Sequence, residues 1–164
     1  MRIIGIDPGL THTGVGIIEK DTSLAATRNG LIHIYTDLIS PPKKELPKRL
    51  LVIYERIVEV IHRFGPAIMA VEDQFFGKNV QTAFKTGQAR GAALLAAATC
   101  DIPVRLFAPA RVKLAVVGNG NASKEQVRHM IGHILGITDL PKSLDCTDAL
   151  AVAICQAFKP ELGK

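Results

Sequence analysis

Arg2-Ile3-Ile4-Gly5-Ile6-Asp7 decides how the rest of the 164-residue chain is read. Five residues suited to a buried strand run straight into an acid, and Pro8-Gly9 then turns the chain. A second stretch repeats the pattern: Ala67-Ile68-Met69-Ala70-Val71 runs into Glu72. A carboxylate that follows a buried strand is costly unless a cation meets it. Strands of this kind, separated by helical segments, predict an α/β sheet, and ligands of such sheets gather at the carboxyl ends of parallel strands. Asp7 and Glu72 both belong at such an end.

Outward from these two strands the order of elements is readable. Thr13 to Glu19 and Leu31 to Leu38 are β-like, with Asn29-Gly30 as a turn between them. Leu46, Leu50, Ile53, Ile57, Val60, Ile61 and Phe64 follow a helical period that Gly65-Pro66 stops. A long helix is expected over Lys78 to Thr99. In it Gly87 and Gly91 share a face and would permit a close helix or strand contact. Pro103 to Phe107 reads as a strand, and Pro109 suits the first turn of a short helix ending near Val117. Ser123 and Gln126 resemble a capping box whose helix Gly136 closes. Asp145 to Phe158 forms the last helix. The expected architecture is therefore α/β: a five-stranded mixed sheet flanked by helices on both sides. It would form one domain over residues 1–158, with a short tail at 159–164.

The last helix carries two more acids. Asp145, Asp148, Val152 and Cys155 form one stripe, and its apolar members turn the stripe toward the sheet. Asp145 and Asp148 then point to the rim where Asp7 and Glu72 emerge. Taken singly, each acid has an ordinary reading. Asp7 could serve an Asx turn, Glu72 could cap a strand at the surface, and Asp145 suits a first helical turn. Asp148 is harder to dismiss, because it heads the apolar run Ala149 to Ile154. Four carboxylates in one small volume repel one another, and without a cation at least one must hold its proton. Two Mg²⁺ ions would neutralise all four, and ions ~3.5–4 Å apart can clamp a phosphodiester.

The charge balance agrees. The net charge is +5, and residues 75–135 carry +6 of it, leaving −1 elsewhere. A basic surface beside an acidic site is how a nuclease holds a phosphate backbone. Three cysteines without a Cys-x-x-Cys spacing indicate neither a disulfide frame nor a zinc site. No apolar run reaches the ~18 residues of a membrane span, and the start lacks a signal-peptide pattern. A cytoplasmic protein is expected, with no membrane partner.

Three stretches, in this order and spacing, closely resemble the RuvC family of bacterial Holliday junction resolvases. They are Gly5-Ile6-Asp7-Pro8-Gly9-Leu10-Thr11-His12-Thr13-Gly14; Glu72-Asp73-Gln74-Phe75-Phe76-Gly77-Lys78-Asn79 with Gly87-Gln88-Ala89-Arg90-Gly91; and Asp145-Cys146-Thr147-Asp148-Ala149-Leu150-Ala151. Val116-Val117-Gly118-Asn119-Gly120 with Lys124 is similar too. The resemblance implies an RNase H-like fold and a homodimer with one active site per subunit. It implies an endonuclease that uses Mg²⁺, two ions per site with Mn²⁺ able to substitute, and cuts four-way junction DNA by paired symmetric nicks. A branch-migration helicase complex would be a partner. By motif position Asp7, Glu72, Asp145 and Asp148 match the catalytic, metal-holding acids. Phe75 matches an aromatic that stacks on a base near the crossover. Lys113 and Lys124 match basic residues near the cut phosphate, and Lys78, Lys85 and Arg90 join the expected DNA-binding set. Cys146-Thr147 replaces a more usual pair of alanines. Asp73 is an extra acid expected on the opposite face of its strand, outside the metal set.

Other classes stay in view. The Asp7 turn occurs in actin-like and sugar-kinase ATPases, but those need two related domains. An RNase H-like nuclease of structured RNA and a non-catalytic junction binder are the remaining rivals.

Overall fold

A computed structural model describes residues 1–21, 30–73 and 80–159. The expected turn at Asn29, the start of the helix expected from Lys78, Phe75 and the tail from residue 160 lie outside the described residues.

The elements follow the predicted order. They are β1 (Arg2–Asp7), β2 (Thr13–Lys20), β3 (Leu31–Ile39), α1 (Leu46–Phe64), β4 (Ile68–Glu72), α2 (Val80–Thr99), β5 (Val104–Phe107), α3 (Pro109–Val117), α4 (Lys124–Leu135) and α5 (Leu144–Phe158). One five-stranded sheet has the order β3-β2-β1-β4-β5. The β1–β2 and β2–β3 pairs are antiparallel, whereas β1–β4 and β4–β5 are parallel. This is the mixed, RNase H-like sheet that was expected. Predicted caps also form. Gly65 and Gly136 end α1 and α4 in left-handed conformation, and Gly118, not expected as a cap, ends α3 in the same way. Gln126 N–H donates to Ser123 Oγ at 3.2 Å while Ser123 N–H donates to Gln126 Oε1 at 2.8 Å.

Strand alternation divides the core in two. Ile4, Ile6, Met69 and Val71 face α1 and α2, meeting Ile53, Ile57, Ala89, Ala93 and Ala96. Ile3, Ile18 and Ala70 face the other way, toward α3, α4 and the nearly all-buried α5.

On that second side the sheet has a bare floor. Gly5, Gly14 and Gly16 are positions where a Cβ would collide with α5. At Gly5 it would strike the Ala149 carbonyl, and at Gly14 the Asp145 carbonyl. At Gly16 it would press on Leu150 Cδ2 at 2.8 Å. The absence of side chains lets α5 lie directly on backbone, closer than an ordinary helix–sheet layer allows. Gly87 and Gly91 behave differently. They share a face of α2, as expected, but among the described residues nothing lies within 4 Å of where their Cβ atoms would be. The close contact expected there is not made among the described residues.

Gly14→Ala therefore forces α5 off the sheet. Overpacking costs typically about 1–3 kcal/mol, and a backbone obstacle places this case at the upper end. We expect a fall in thermal midpoint of roughly 6–12 °C by circular dichroism, together with loss of function, because Asp145 sits on that glycine. An unchanged midpoint would contradict the packing argument.

Candidate active site

Asp7 and Glu72 end the adjacent parallel strands β1 and β4. Gly5 and Ala70 are register partners, so the residues two further along emerge side by side on the α5 face. Both acids are buried, at 8% and 9% exposure. Across β1, Asp7 is the register partner of Gly14, and the Asp145 carbonyl lies over Gly14. The glycine floor thus delivers the first turn of α5, with Asp145 and one turn later Asp148, to the ends of β1 and β4.

The electrostatics show that the four acids are within reach of one another. The Asp7 carboxyl is pushed up to about 9 from an ordinary 3.8, first by burial, then by the charge and hydrogen bond of Glu72, then by the charges of Asp148 and Asp145. Asp7 therefore holds a proton at neutral pH and is hydrogen-bonded to Glu72.

The two helical acids have partners of their own. Lys124 Nζ donates to Asp148 Oδ2 at 2.7 Å, and that bond raises the lysine pKa. Ser143 Oγ donates to Asp145 Oδ2 at 3.2 Å. A cavity of about 180 Å³ opens beside them, lined by Glu72, Asp148, Lys113 and Lys124 above apolar Val112 and Val127. Lys113 comes from α3 and Lys124 opens α4, so three helices and two strand ends enclose the site.

The donor set fits hard divalent cations. It consists of carboxylate oxygens alone, two of them on nearly buried residues, and one, Asp7, is kept protonated by burial and then by its acidic neighbours. Among the described residues no three His, Cys, Asp or Glu side chains are yet arranged as a metal cage. Asp7 is hydrogen-bonded to Glu72, and Asp148 and Asp145 are held by Lys124 and Ser143.

The remaining sequence candidates fall in different places. Lys85 is exposed on α2. Arg90, expected to meet DNA, forms an ion pair with Asp73. Phe75 and Lys78 lie outside the described residues. Cys146 is buried, its Sγ donating to the Asp37 carbonyl at 3.4 Å, and Thr147 Oγ1 donates to the Leu144 carbonyl at 2.8 Å. Both sit off the acidic stripe. His12 is exposed, with Nδ1 2.9 Å from Ser40 Oγ.

Sequence reasoning passed over the three floor glycines and the partner of Asp73. A signal for the first exists in hindsight: Gly14 and Gly16 alternate on β2, level with Asp7 and Gly5 of β1.

Residues 3–156 match the family described as crossover junction endodeoxyribonuclease RuvC. The chain belongs to that family. A crossover junction endodeoxyribonuclease RuvC of Bifidobacterium adolescentis is 47% identical over 161 residues, spanning 98% of this chain and 81% of the relative. One of Desulfitobacterium hafniense is 43% identical over 163 residues, spanning 99% and 95%. The solved structure of T. thermophilus RuvC in complex with a Holliday junction substrate superposes with a TM-score of 0.87 at 38% identity, covering 96% of this chain and 93% of that one. The RuvC family membership thus covers the sheet, the glycine floor and all four acids.

Folding favours the protonated form of Asp7, because its folded value lies above the ordinary one. That contribution is complete below about pH 3.8 and is lost as pH rises toward 9. In metal-free protein, Asp7→Asn should raise the thermal midpoint at pH 8 by roughly 3–6 °C, corresponding to about 1.5 kcal/mol. The gain should shrink toward pH 4. A variant less stable than wild type at pH 8 would contradict a protonated Asp7 hydrogen-bonded to Glu72.

Proposed function

We propose that this chain is a structure-selective endonuclease that resolves four-way DNA junctions by paired symmetric nicks, in recombination and DNA repair. One observation carries the reading: Asp7, kept neutral by burial and then by Glu72, Asp148 and Asp145, lies beside a cavity that two lysines share. Family membership and the junction-bound T. thermophilus relative support it. A passive junction binder would need the lysines but would gain nothing from a crowded, partly protonated carboxylate set. In this reading one nuclease domain spans residues 1–158.

Asp7, Glu72, Asp145 and Asp148 would hold two Mg²⁺ ions, with Mn²⁺ able to replace them. When bound, these ions supply charge neutralisation and an activated water. The protein's own part is positional. Asp7 gives up its proton. Asp148 releases Lys124, whose ammonium already lines the cavity with Lys113 and then meets the charge that grows on the phosphate oxygens. Water adds to phosphorus and the bond to the 3′ oxygen breaks, leaving a 5′-phosphate and a 3′-hydroxyl. Lys85 adds charge for the phosphate backbone, and the roles of Phe75 and Lys78 rest on the family resemblance alone. Arg90 is already engaged by Asp73.

Paired nicks need two sites, and the homodimer has a suitable face. Leu50, Leu51, Tyr54, Gly91 and Leu95 line an apolar groove of about 520 Å³ between α1 and α2. Leu51 and Leu95 are 50% and 59% exposed. This is the face on which Gly87 and Gly91 have open space, so a second copy could approach closely there. A branch-migration helicase complex as a further partner follows from the family resemblance. A cytoplasmic setting fits three free cysteines and the absence, among the described residues, of a helix long and apolar enough to cross a membrane.

A synthetic four-way junction tests the function. Wild type should leave two symmetric nicks with Mg²⁺ and none without it. Asp7→Asn should lose at least ~10³-fold in nicking rate while binding the junction within about threefold of wild type. Cleavage retained by Asp7→Asn would refute the site. Leu95→Glu should sediment as a monomer and lose the coupling between the two nicks; a dimer that survives this change lies on another face.

A further inference from the structure

Strand β4 delivers two acids in succession to opposite sides of the sheet. Ile68 and Ala70 pack toward α5, and Glu72 continues that face. Met69 and Val71 pack toward α1 and α2, and Asp73 continues theirs. Asp73 is only 5% exposed, so an unpaired charge there would be costly. Arg90 meets it from α2, forming an ion pair across the sheet from the acidic site. Arg90 follows Ala89, a buried residue packed into the same core layer, which anchors its backbone. On the third side, Asp73 N–H donates to the Phe107 carbonyl at 2.8 Å and extends the β4–β5 ladder past the last strand residue.

We propose that the Asp73–Arg90 pair is a positioning device for Glu72. This rests on the reading of Glu72 as a metal-holding acid. Successive residues of a strand are coupled by the pleat, so fixing Asp73 from the α2 side fixes the direction in which Glu72 leaves β4. Arg90 also cancels a fifth negative charge one residue from the crowded set. The acids on the α5 face then number four, the count that two divalent cations balance. Arg90 acts from behind the site, and Asp73 touches neither metal nor substrate.

The test compares Asp73→Asn, Arg90→Met, the double variant Asp73→Asn/Arg90→Met, and Arg90→Lys in the full chain. Three quantities are read: single-turnover nicking of a pre-bound four-way junction, junction Kd at two salt concentrations, and Mn²⁺ affinity by calorimetry without DNA. Each single variant should nick at least tenfold more slowly and bind Mn²⁺ about tenfold more weakly, with junction Kd within twofold of wild type. The double variant should be no slower than the worse single, because both changes remove one interaction. It also leaves no buried charge unpaired, which keeps a folded variant in the set. Arg90→Lys should recover part of the rate and of the Mn²⁺ affinity.

Loss of junction affinity and a shallower salt slope in Arg90→Met, with Asp73→Asn nicking normally, would make Arg90 a phosphate contact and overturn the proposal. So would wild-type Mn²⁺ affinity in all four variants. Should wild type bind Mn²⁺ yet cut no junction under any condition, the nuclease reading fails, while tenfold weaker Mn²⁺ binding in the variants would still uphold the clamp.

Discussion

The close seat of α5 on a floor of backbone is the constraint on which the site depends. Gly5, Gly14 and Gly16 remove the side chains that would hold the helix away. Asp145 and Asp148 can then reach the ends of β1 and β4, although more than seventy residues separate them from Glu72. The contact is short because it is backbone against backbone, and it fixes height as well as position. A helix packed on ordinary side chains would carry the same two acids too far from Asp7 to affect its proton. Burial and Glu72 raise the Asp7 value most, and the charges of Asp148 and Asp145, brought in by α5, add to it.

The same closeness makes the metal-free site unfavourable to itself. Asp7 is buried and repelled by three acids, and it holds a proton to survive folding. Lys124 relieves Asp148 by a direct bond, at the end of a helix whose capping box fixes where that lysine begins. Cations that displace the proton and free the lysine would convert a strained arrangement into a loaded one. In the proposed reading, stability given up by the crowded acids would become affinity for cations, a common trade where function requires crowded charge.

Much of this was legible in the sequence because the signals are local. Hydrophobic runs ended by an acid marked β1 and β4. A 3.6-residue period marked α1, and Ser123 with Gln126 marked the start of α4. The three-residue spacing of Asp145 and Asp148 put both on one helix face. What stayed hidden involves partners distant in sequence. Gly14 and Gly16 read as ordinary strand glycines until the topology puts α5 above them. Arg90 read as a free cation, because no local rule pairs it with an acid seventeen residues earlier. Gly87 and Gly91 read as the site of a close approach, but among the described residues no segment makes it. Alternation did place Asp73 away from the acidic set, and the ion pair explains why a buried acid is tolerated there.

The central claim is that Asp7, Glu72, Asp145 and Asp148 converge to grip paired cations. Crystals soaked in Mn²⁺ and measured at the manganese absorption edge test it most directly. The account predicts two anomalous peaks about 4 Å apart, bounded by these four carboxylates, with Lys124 swung away from Asp148. Manganese bound only at other surface sites, with the Asp7–Glu72 and Lys124–Asp148 contacts intact, would contradict it.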